Sequence, residues 1–306
     1  MHLFITGANS FVGTSLVAHC QQHGIPYSGI DRVGPFGDGI VERDLRMPDL
    51  AELIPEGSVV VHLAAVSRDS DCAFDPRGAM DINITATARV VQNSIRAGAL
   101  RLVFASSEWV YGRLPASETL AEHNGPDWAN LDSLYATSKA AGEHIVASAD
   151  GSLPSTILRF AIVYGPRAGN WSAFEAVTKG ALDGVVKVGS ARTSRRFIHV
   201  RDICSGIVAA AHDVGLASHI WNLAGPSLVS LGEIAQTAAT LLGREVAVVE
   251  SDPDAPSIRN PLPNLMMAES SWSPHWSTED GVRDVLSFLG VERLVREDQD
   301  NDRLVN

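Results

Sequence analysis

His2-Leu3-Phe4-Ile5-Thr6-Gly7-Ala8-Asn9-Ser10-Phe11-Val12-Gly13 opens with a short apolar run, turns at a glycine and enters a helix-length pattern. A tight turn between a first strand and a first helix aims backbone N–H groups and the positive end of a helix at a pyrophosphate. Gly7 suits the turn and Gly13 permits close helix–strand packing. The middle glycine of such a loop, where a cofactor approaches the backbone, is Ser10, a small residue whose hydroxyl can itself donate to phosphate. Asn9, Ser10, Phe11 and Val12 complete the loop. The stretch predicts a dinucleotide-binding βα unit, and an ordinary strand–helix turn is the competing reading for the loop by itself.

Working outward, short apolar runs alternate with helix-length segments through the first half of the chain, the signature of βαβ units around a parallel sheet. Strands are predicted at His2–Thr6, Pro26–Ile30, Gly39–Glu42, Ser58–Leu63, Leu100–Ala105 and Ser155–Phe160, with helices over Phe11–Gln22, Ala79–Ala97 and Leu134–Ala149. Val59-Val-Val-His-Leu63 and Leu102-Val-Phe-Ala105 are nearly continuous apolar runs, which fit strands covered on both faces. After Phe160 the rhythm changes. Helices are predicted over Phe174–Leu182, Asp202–His212 (opened by a capping aspartate), Leu231–Leu242 and Thr278–Leu289, with a strand at Ile220–Leu223. Residues 251–263 hold four prolines and read as irregular; a charged tail begins at Arg296.

The expected fold is therefore α/β, a doubly wound parallel sheet with a smaller, discontinuous C-terminal substrate-binding domain. Residues 1–165 form the nucleotide domain, joined by 197–225. Residues 166–196 and 226–295 form the substrate lobe, and 296–306 the tail.

The chain has 306 residues, 45% apolar and 20% charged, an ordinary globular balance. A formal net charge of −12 argues against nucleic-acid or anionic-membrane surfaces. No stretch approaches the roughly 20 apolar residues of a membrane span. The N-terminus shows no signal-peptide pattern, so a cytoplasmic location is expected. Cys20, Cys72 and Cys204 are scattered without metal-ligand spacing and read as small buried hydrophobes; no metal is expected.

Asp31 ends the second predicted strand, from which a carboxylate accepts hydrogen bonds from an adenosine ribose and repels a 2′-phosphate. NAD is thus favoured over NADP, with Arg32 softening the preference. Asp44 and Leu45 follow the third strand, within reach of an adenine. Leu63, Ala64 and Ala65 close the fourth with small residues that leave room for a cofactor. Further along, Tyr135 and Lys139 lie four apart on a predicted helix and so share a face. An ammonium beside a phenol is expected to lower the tyrosine pKa from about 10, readying it to shuttle a proton while hydride moves to or from the same carbon. Ser107, at a strand end, is placed to hold the developing oxyanion.

At these residues the chain resembles the extended short-chain dehydrogenase/reductases, the NAD-dependent epimerase/dehydratase group. The resemblance runs to about Leu289 and rests on Thr6–Gly13, Asp31, His62–Ala65, Asn83, Ser106–Gly112, Tyr135–Lys139, Arg159–Pro166, Arg195–Asp202 and Trp221–Leu223. It implies a Rossmann domain, bound NAD, a catalytic Ser107/Tyr135/Lys139 triad and commonly a homodimer. It implies cofactor contacts from Asn83, Phe160 and Ile162 as well. A nucleotide-diphosphate sugar is the implied substrate, met by Ser67, Ser107, Glu108, Trp109, Asn170, Arg195 and Arg259. Arg195 reads equally as a surface ion-pair residue, and Trp109 as a core side chain.

Two departures narrow the reaction. Sugar 4,6-dehydratases of the family follow the serine position with an Asp-Glu pair, where this chain has Glu108-Trp109, so elimination is disfavoured. The asparagine common before Val-Tyr-Gly-Pro is Ile162. What remains is 4-keto chemistry: an epimerase, or a ketoreductase/dehydrogenase on a 4-keto sugar or other small carbonyl. A non-catalytic NAD(P)-binding regulator is a third reading, opposed by the intact Tyr135 and Lys139.

Overall fold

A computed structural model describes residues 1–113, 119–212 and 218–292. The tail from Arg296 therefore lies outside the described residues. In chain order the large domain runs β1 (Leu3–Thr6), α1 (Phe11–His23), β2 (Tyr27–Asp31), β3 (Ile40–Glu42), β4 (Val59–His62), α2 (Asp69–Phe74), α3 (Pro76–Met80), a π turn (Asp81–Ala86), α4 (Thr87–Arg96), β5 (Arg101–Ser107), α5 (Leu134–Ala147) and β6 (Ser155–Phe160). Then follow β7 (Val163–Tyr164), α6 (Ala173–Asp183), β8 (Val185–Val188), β9 (Ser194–Arg195), β10 (Ile198–His199), α7 (Val200–His212) and β11 (His219–Leu223). The chain ends with β12 (Val229–Ser230), α8 (Leu231–Leu242), β13 (Ala247–Glu250), β14 (Ile258–Arg259), α9 (Asn264–Glu269) and α10 (Thr278–Phe288).

Seven strands form one sheet in the order β11-β6-β5-β4-β1-β2-β3, with every pairing parallel. The sheet is the doubly wound, Rossmann-like one expected. Its strand order reverses between β1 and β4, and a crevice opens there at the strands' C-terminal ends, the place such sheets bind ligands. β1, β4 and β5 are buried along their whole lengths, which is why they read as continuous apolar runs. One core packs α1 and α7 against a face of the sheet; a second packs α4 and α5 against the other. A third lies away from the sheet, among Phe174 of α6, Ile234 of α8 and Leu286 of α10.

Two local expectations fail for physical reasons. Asp202 does not cap α7, because that helix starts two residues earlier; its carboxylate instead accepts from the backbone N–H of His275 and Trp276, tying down the segment before α10. And 226–295 is not wholly lobe. Met266 and Trp272 sit in the α1/α7 core, so the chain returns once more to the large domain.

Candidate active site

The crevice between β1 and β4 is built by close backbone approach. Gly7 has φ +73°, and a Cβ there would stand 2.8 Å from the backbone N and Cα of Ala64. At Gly13 a Cβ would come within 2.2 Å of the Gly7 carbonyl oxygen. The irregular loop position also acquires a reason. Ser10 is the N-cap of α1, its hydroxyl accepting from the Gly13 N–H at 3.0 Å.

A cavity of about 570 Å³ lies over this turn. Gly7, Asn9, Ser10, Asp31, Arg32, Asp44, Leu45, Ala64 and Ala65 line it, all of them residues expected there. Asp31 accepts from the backbone N–H of Asn9 at 2.9 Å and of Val33 at 3.1 Å, which orients the carboxylate at the crevice edge. Asp44 pairs with Arg46, whose hydrogen bonds hold its carboxyl down to about 2. Arg43 and the exposed Phe74 line the same cavity and carried no signal in the sequence.

A second cavity of about 500 Å³ shares Ser10 and Ala65 with the first. Into it open Ser107 from the end of β5, and Tyr135 and Lys139 from the first turns of α5. That helix begins at Ser133, whose hydroxyl accepts from Ala136 N–H. Phe11, Val12, Leu63, Ser67, Trp109, Phe160, Ile162 and Asn170 also line it. Among the residues here that the sequence did not point to are Arg68, Ser106, Arg167 and Trp171. Arg167 follows the Gly165-Pro166 loop directly; its guanidinium pairs with the buried Glu175 at 2.8 Å and lies 4.3 Å over the Phe11 ring. It thereby ties α6 to the first turn of α1.

The electrostatics of the triad differ from expectation. Lys139 donates to the Ala105 carbonyl at 2.7 Å and stands 5.9 Å from the centre of the Tyr135 ring. Burial lowers its pKa to about 8, with Glu143 opposing. Burial pushes the Tyr135 phenol up to about 12, only partly offset by its hydrogen bond with Ser107. Desolvation is the largest influence on the phenol before a substrate is bound, and there it favours the protonated form. Behind Lys139, burial holds His62 down to about 3, and hence neutral. Its Nδ1 and Nε2 are spent on the hydroxyls of Thr6 at 2.7 Å and Thr87 at 3.0 Å.

Five residues anticipated at the site stand outside both cavities. Gly13 serves the packing of the turn. Asn83, in the π turn, is buried, donates to the Val66 carbonyl and the Ser138 hydroxyl, and accepts from Val66 N–H. It shapes the wall from behind. Arg195 donates to the carbonyls of Ser194 and Ser257 and to the Ser257 hydroxyl. Arg259 donates to the carbonyls of Gly112 at 2.8 Å and Glu108 at 2.6 Å. Its guanidinium lies 4.5 Å over Trp109. Trp109 thus backs onto a cation and also lines the cavity. Glu108 is fully buried, and neither carboxylate oxygen has a hydrogen-bond partner among the described residues; desolvation raises its pKa, opposed by Arg259 and Arg195. Both arginines are engaged by the protein itself, Arg195 by Ser194 and Ser257 and Arg259 by the turn that follows Ser107.

The family described as "NAD dependent epimerase/dehydratase family" matches residues 3–224. A Bacillus subtilis (strain 168) protein, described as an uncharacterized UDP-glucose epimerase YtcB, is 27% identical, covering 94% of this chain and 98% of its own. A UDP-glucose 4-epimerase of Mycolicibacterium smegmatis is 26% identical over the same shares. Among solved structures, MoeE5 in complex with UDP-glucuronic acid and NAD superposes with a TM-score of 0.83 at 22% identity, covering 94% of this chain and 99% of that one. The UDP-glucose 4-epimerase of Thermus thermophilus, in complex with NAD, gives 0.78 at 24% identity, covering 95% and 100%. The match over residues 3–224 makes the chain a member of the NAD dependent epimerase/dehydratase family, and an enzyme of it.

Proposed function

We propose that the chain is an NAD-dependent nucleotide-sugar epimerase working through a transient 4-keto intermediate. The observation that carries this reading is the opening of Ser107, Tyr135 and Lys139 into one cavity that joins the dinucleotide crevice at Ser10 and Ala65. The crevice fits NAD: at Gly7 a side chain would collide with Ala64, and Asp31 lines the cavity with a carboxylate that would accept from a ribose. Gly7, Asn9, Ser10, Asp31, Asp44, Leu45, Ala64 and Ala65 would hold the adenosine and pyrophosphate, with Phe11, Val12, Leu63, Phe160 and Ile162 toward the reactive ring. When bound, NAD supplies reversible hydride exchange at the sugar's C4.

The chain's own groups handle the proton. Tyr135 takes it from the C4 hydroxyl in one direction and returns it in the other. Tyr135 is thus the phenolate at the start and end of the cycle and carries the proton while the sugar is a 4-ketone; the Lys139 ammonium stabilises that phenolate, and Ser107 donates to the C4 oxygen. Trp109, Ser67, Arg68 and Asn170 surround the space left for the sugar. A UDP-sugar is the substrate suggested by the names of the relatives. The family resemblance supports a homodimer, and no helix among the described residues is long and apolar enough to cross a membrane. Glu108 and Trp109 do not form the acid–base pair an elimination needs.

The apolar walls Phe160, Ile162 and Trp109 favour a second reading, a ketoreductase on a 4-keto sugar or small carbonyl. Two measurements separate the possibilities. Tyr135→Phe is expected to reduce turnover of UDP-glucose or UDP-glucuronic acid by roughly 10²–10⁴-fold, and an unchanged rate removes the proton carrier. Absorbance of the purified protein is expected to reveal retained NAD; a cofactor-free protein that consumes NADH stoichiometrically would establish the reductase.

A further inference from the structure

Glu143 lies one helical turn beyond Lys139 on α5, 4% exposed. Three successive residues at the end of β5 are held by three residues spaced at helical turns on α5. Lys139 donates to the Ala105 carbonyl at 2.7 Å, Glu143 accepts from the Ser106 hydroxyl at 2.5 Å, and Tyr135 hydrogen-bonds Ser107. Glu143 itself has no freedom. Arg159, the direct neighbour of Ser106 in the sheet, clamps its carboxylate through Nε at 2.9 Å and Nη2 at 2.8 Å. The guanidinium also donates to the Asn124 carbonyl and lies 4.7 Å over the Tyr111 ring.

An isolated buried ion pair is weak evidence for stability, because desolvation consumes most of the Coulombic gain. What distinguishes this one is its place: one oxygen of the pair reaches the residue before the catalytic serine, and its helix carries the ammonium. Resting on the reading of Ser107, Tyr135 and Lys139 given above, we propose that Glu143, held rigid by Arg159, is a positioning residue of the reaction. It fixes the strand end bearing Ser107 through Ser106, and from the next turn of α5 it stabilises the Lys139 ammonium.

The surroundings of Lys139 single out this carboxylate. His62 from β4 is held neutral, Tyr135 is a protonated phenol, and Cys72 from α2 has its thiol pKa raised by burial and by Asp69 and Asp71. Phe104 of β5 offers a ring face 5.1 Å from the ammonium. Arg159 stands behind Glu143, already paired to it. Removing the Glu143 charge therefore moves Lys139 to lower pH, and its ammonium is lost earlier as pH rises.

The chain has three lysines, Lys139, Lys179 and Lys187, so protein carrying ¹³C-labelled lysine reports each Cε separately by NMR. The expected result is a Lys139 midpoint that moves to lower pH in Glu143→Gln and stays put in Ser106→Ala. Ser106→Ala is expected to lower kcat by about tenfold with KM little changed, since loss of the strand-end anchor misplaces Ser107 without touching the rest of the cavity. Should Glu143→Gln fail to fold with Arg159 left unpaired, Glu143→Asp keeps a charge for Arg159 but draws the carboxylate back from Ser106 by one methylene, and kcat is expected to fall as in Ser106→Ala. An unmoved Lys139 midpoint, or Ser106→Ala turning over at the wild-type rate, overturns the proposal. Failure of the underlying reading looks different: Tyr135→Phe would remain fully active, while the lysine titration, which needs no substrate, would still decide the electrostatic half.

Discussion

Replacing Gly7 with alanine tests the physical origin of the cofactor crevice, and a second glycine supplies the reference. Gly24, just after α1, has φ +64° and nothing within 4 Å of a built Cβ, whereas Gly7 at φ +73° would place its Cβ 2.8 Å from two backbone atoms of Ala64. Both substitutions incur the left-handed backbone cost of about 1–2 kcal/mol. Only Gly7→Ala adds an overlap against backbone, which cannot turn aside as a side-chain end can, for roughly 1–3 kcal/mol more. The sum of about 2–5 kcal/mol corresponds to a fall in Tm of roughly 4–10 °C, at about 2 °C per kcal/mol for a chain of this size. Relief comes by widening the gap between the ends of β1 and β4, the same gap in which the pyrophosphate is proposed to lie. Thermal unfolding with and without added NAD reads both effects. Gly7→Ala is expected to melt below Gly24→Ala and to lose most of the stabilisation that NAD gives the wild type. If the two variants melt together and respond equally to NAD, the close-approach argument is wrong.

Other consequences follow from the buried polar groups. Arg259→Met withdraws both donors from the Glu108 and Gly112 carbonyls and leaves the Glu108 carboxylate without its nearest cation; a loss of about 3–5 kcal/mol in the substrate-free protein is expected. An unchanged Tm with a raised KM would instead mark Arg259 as a substrate contact. His62 is held neutral to about 3 while its unfolded counterpart titrates near 6.5, so the unfolded state binds the extra proton between those values. Stability from this group is present above pH 6.5 and is lost as pH falls; His62→Gln is expected to flatten the decline of Tm between about pH 6.5 and 4, and an identical decline would assign it to other groups. Asp31→Ser removes the carboxylate facing a 2′-phosphate and leaves Arg32 beside it, so the ratio of NADP to NAD affinity is expected to rise by about tenfold or more. A ratio that stays constant in direct titrations would remove Asp31 from cofactor selection.

How far the sequence reaches can be seen residue by residue. β1, β4 and β5 announced themselves because strands covered on both faces are apolar throughout, and the glycines at 7 and 13 mark places where no side chain fits. The lobe was harder to read. β9, β12 and β14 are two residues each, too short for any periodicity, and β14 emerges from the proline-rich stretch only because Ile258 and Arg259 pair with Ser194 and Arg195 far away in the chain. Asp202 looked like a helix cap since a helix does begin nearby; its true partners, His275 and Trp276, are more than seventy residues off. Ser10 stands where such a loop has its middle glycine, and it is the residue that caps α1. Within the site, the presence of Ser107, Tyr135 and Lys139 was legible, but their ionisation was not. Helical spacing says that Lys139 and Tyr135 share a face; it does not say that burial acts on both more strongly than they act on each other. Arg167 and Glu143 escaped notice for a related reason, since their importance lies in Phe11, Ser106 and Arg159, partners supplied by other elements.

The claim that most needs testing is that hydrogen leaves C4 of a nucleotide sugar and returns to the same carbon on the opposite face. UDP-glucose carrying deuterium at C4, incubated with the purified protein in ordinary water and followed by ¹H NMR, tests it directly, with UDP-glucuronic acid labelled in the same way as the second probe. The account predicts a C4 epimer that keeps the deuterium. An epimer that has exchanged its label for solvent hydrogen, or a labelled substrate left unepimerised in both cases while added NADH is consumed by a keto sugar, would contradict it.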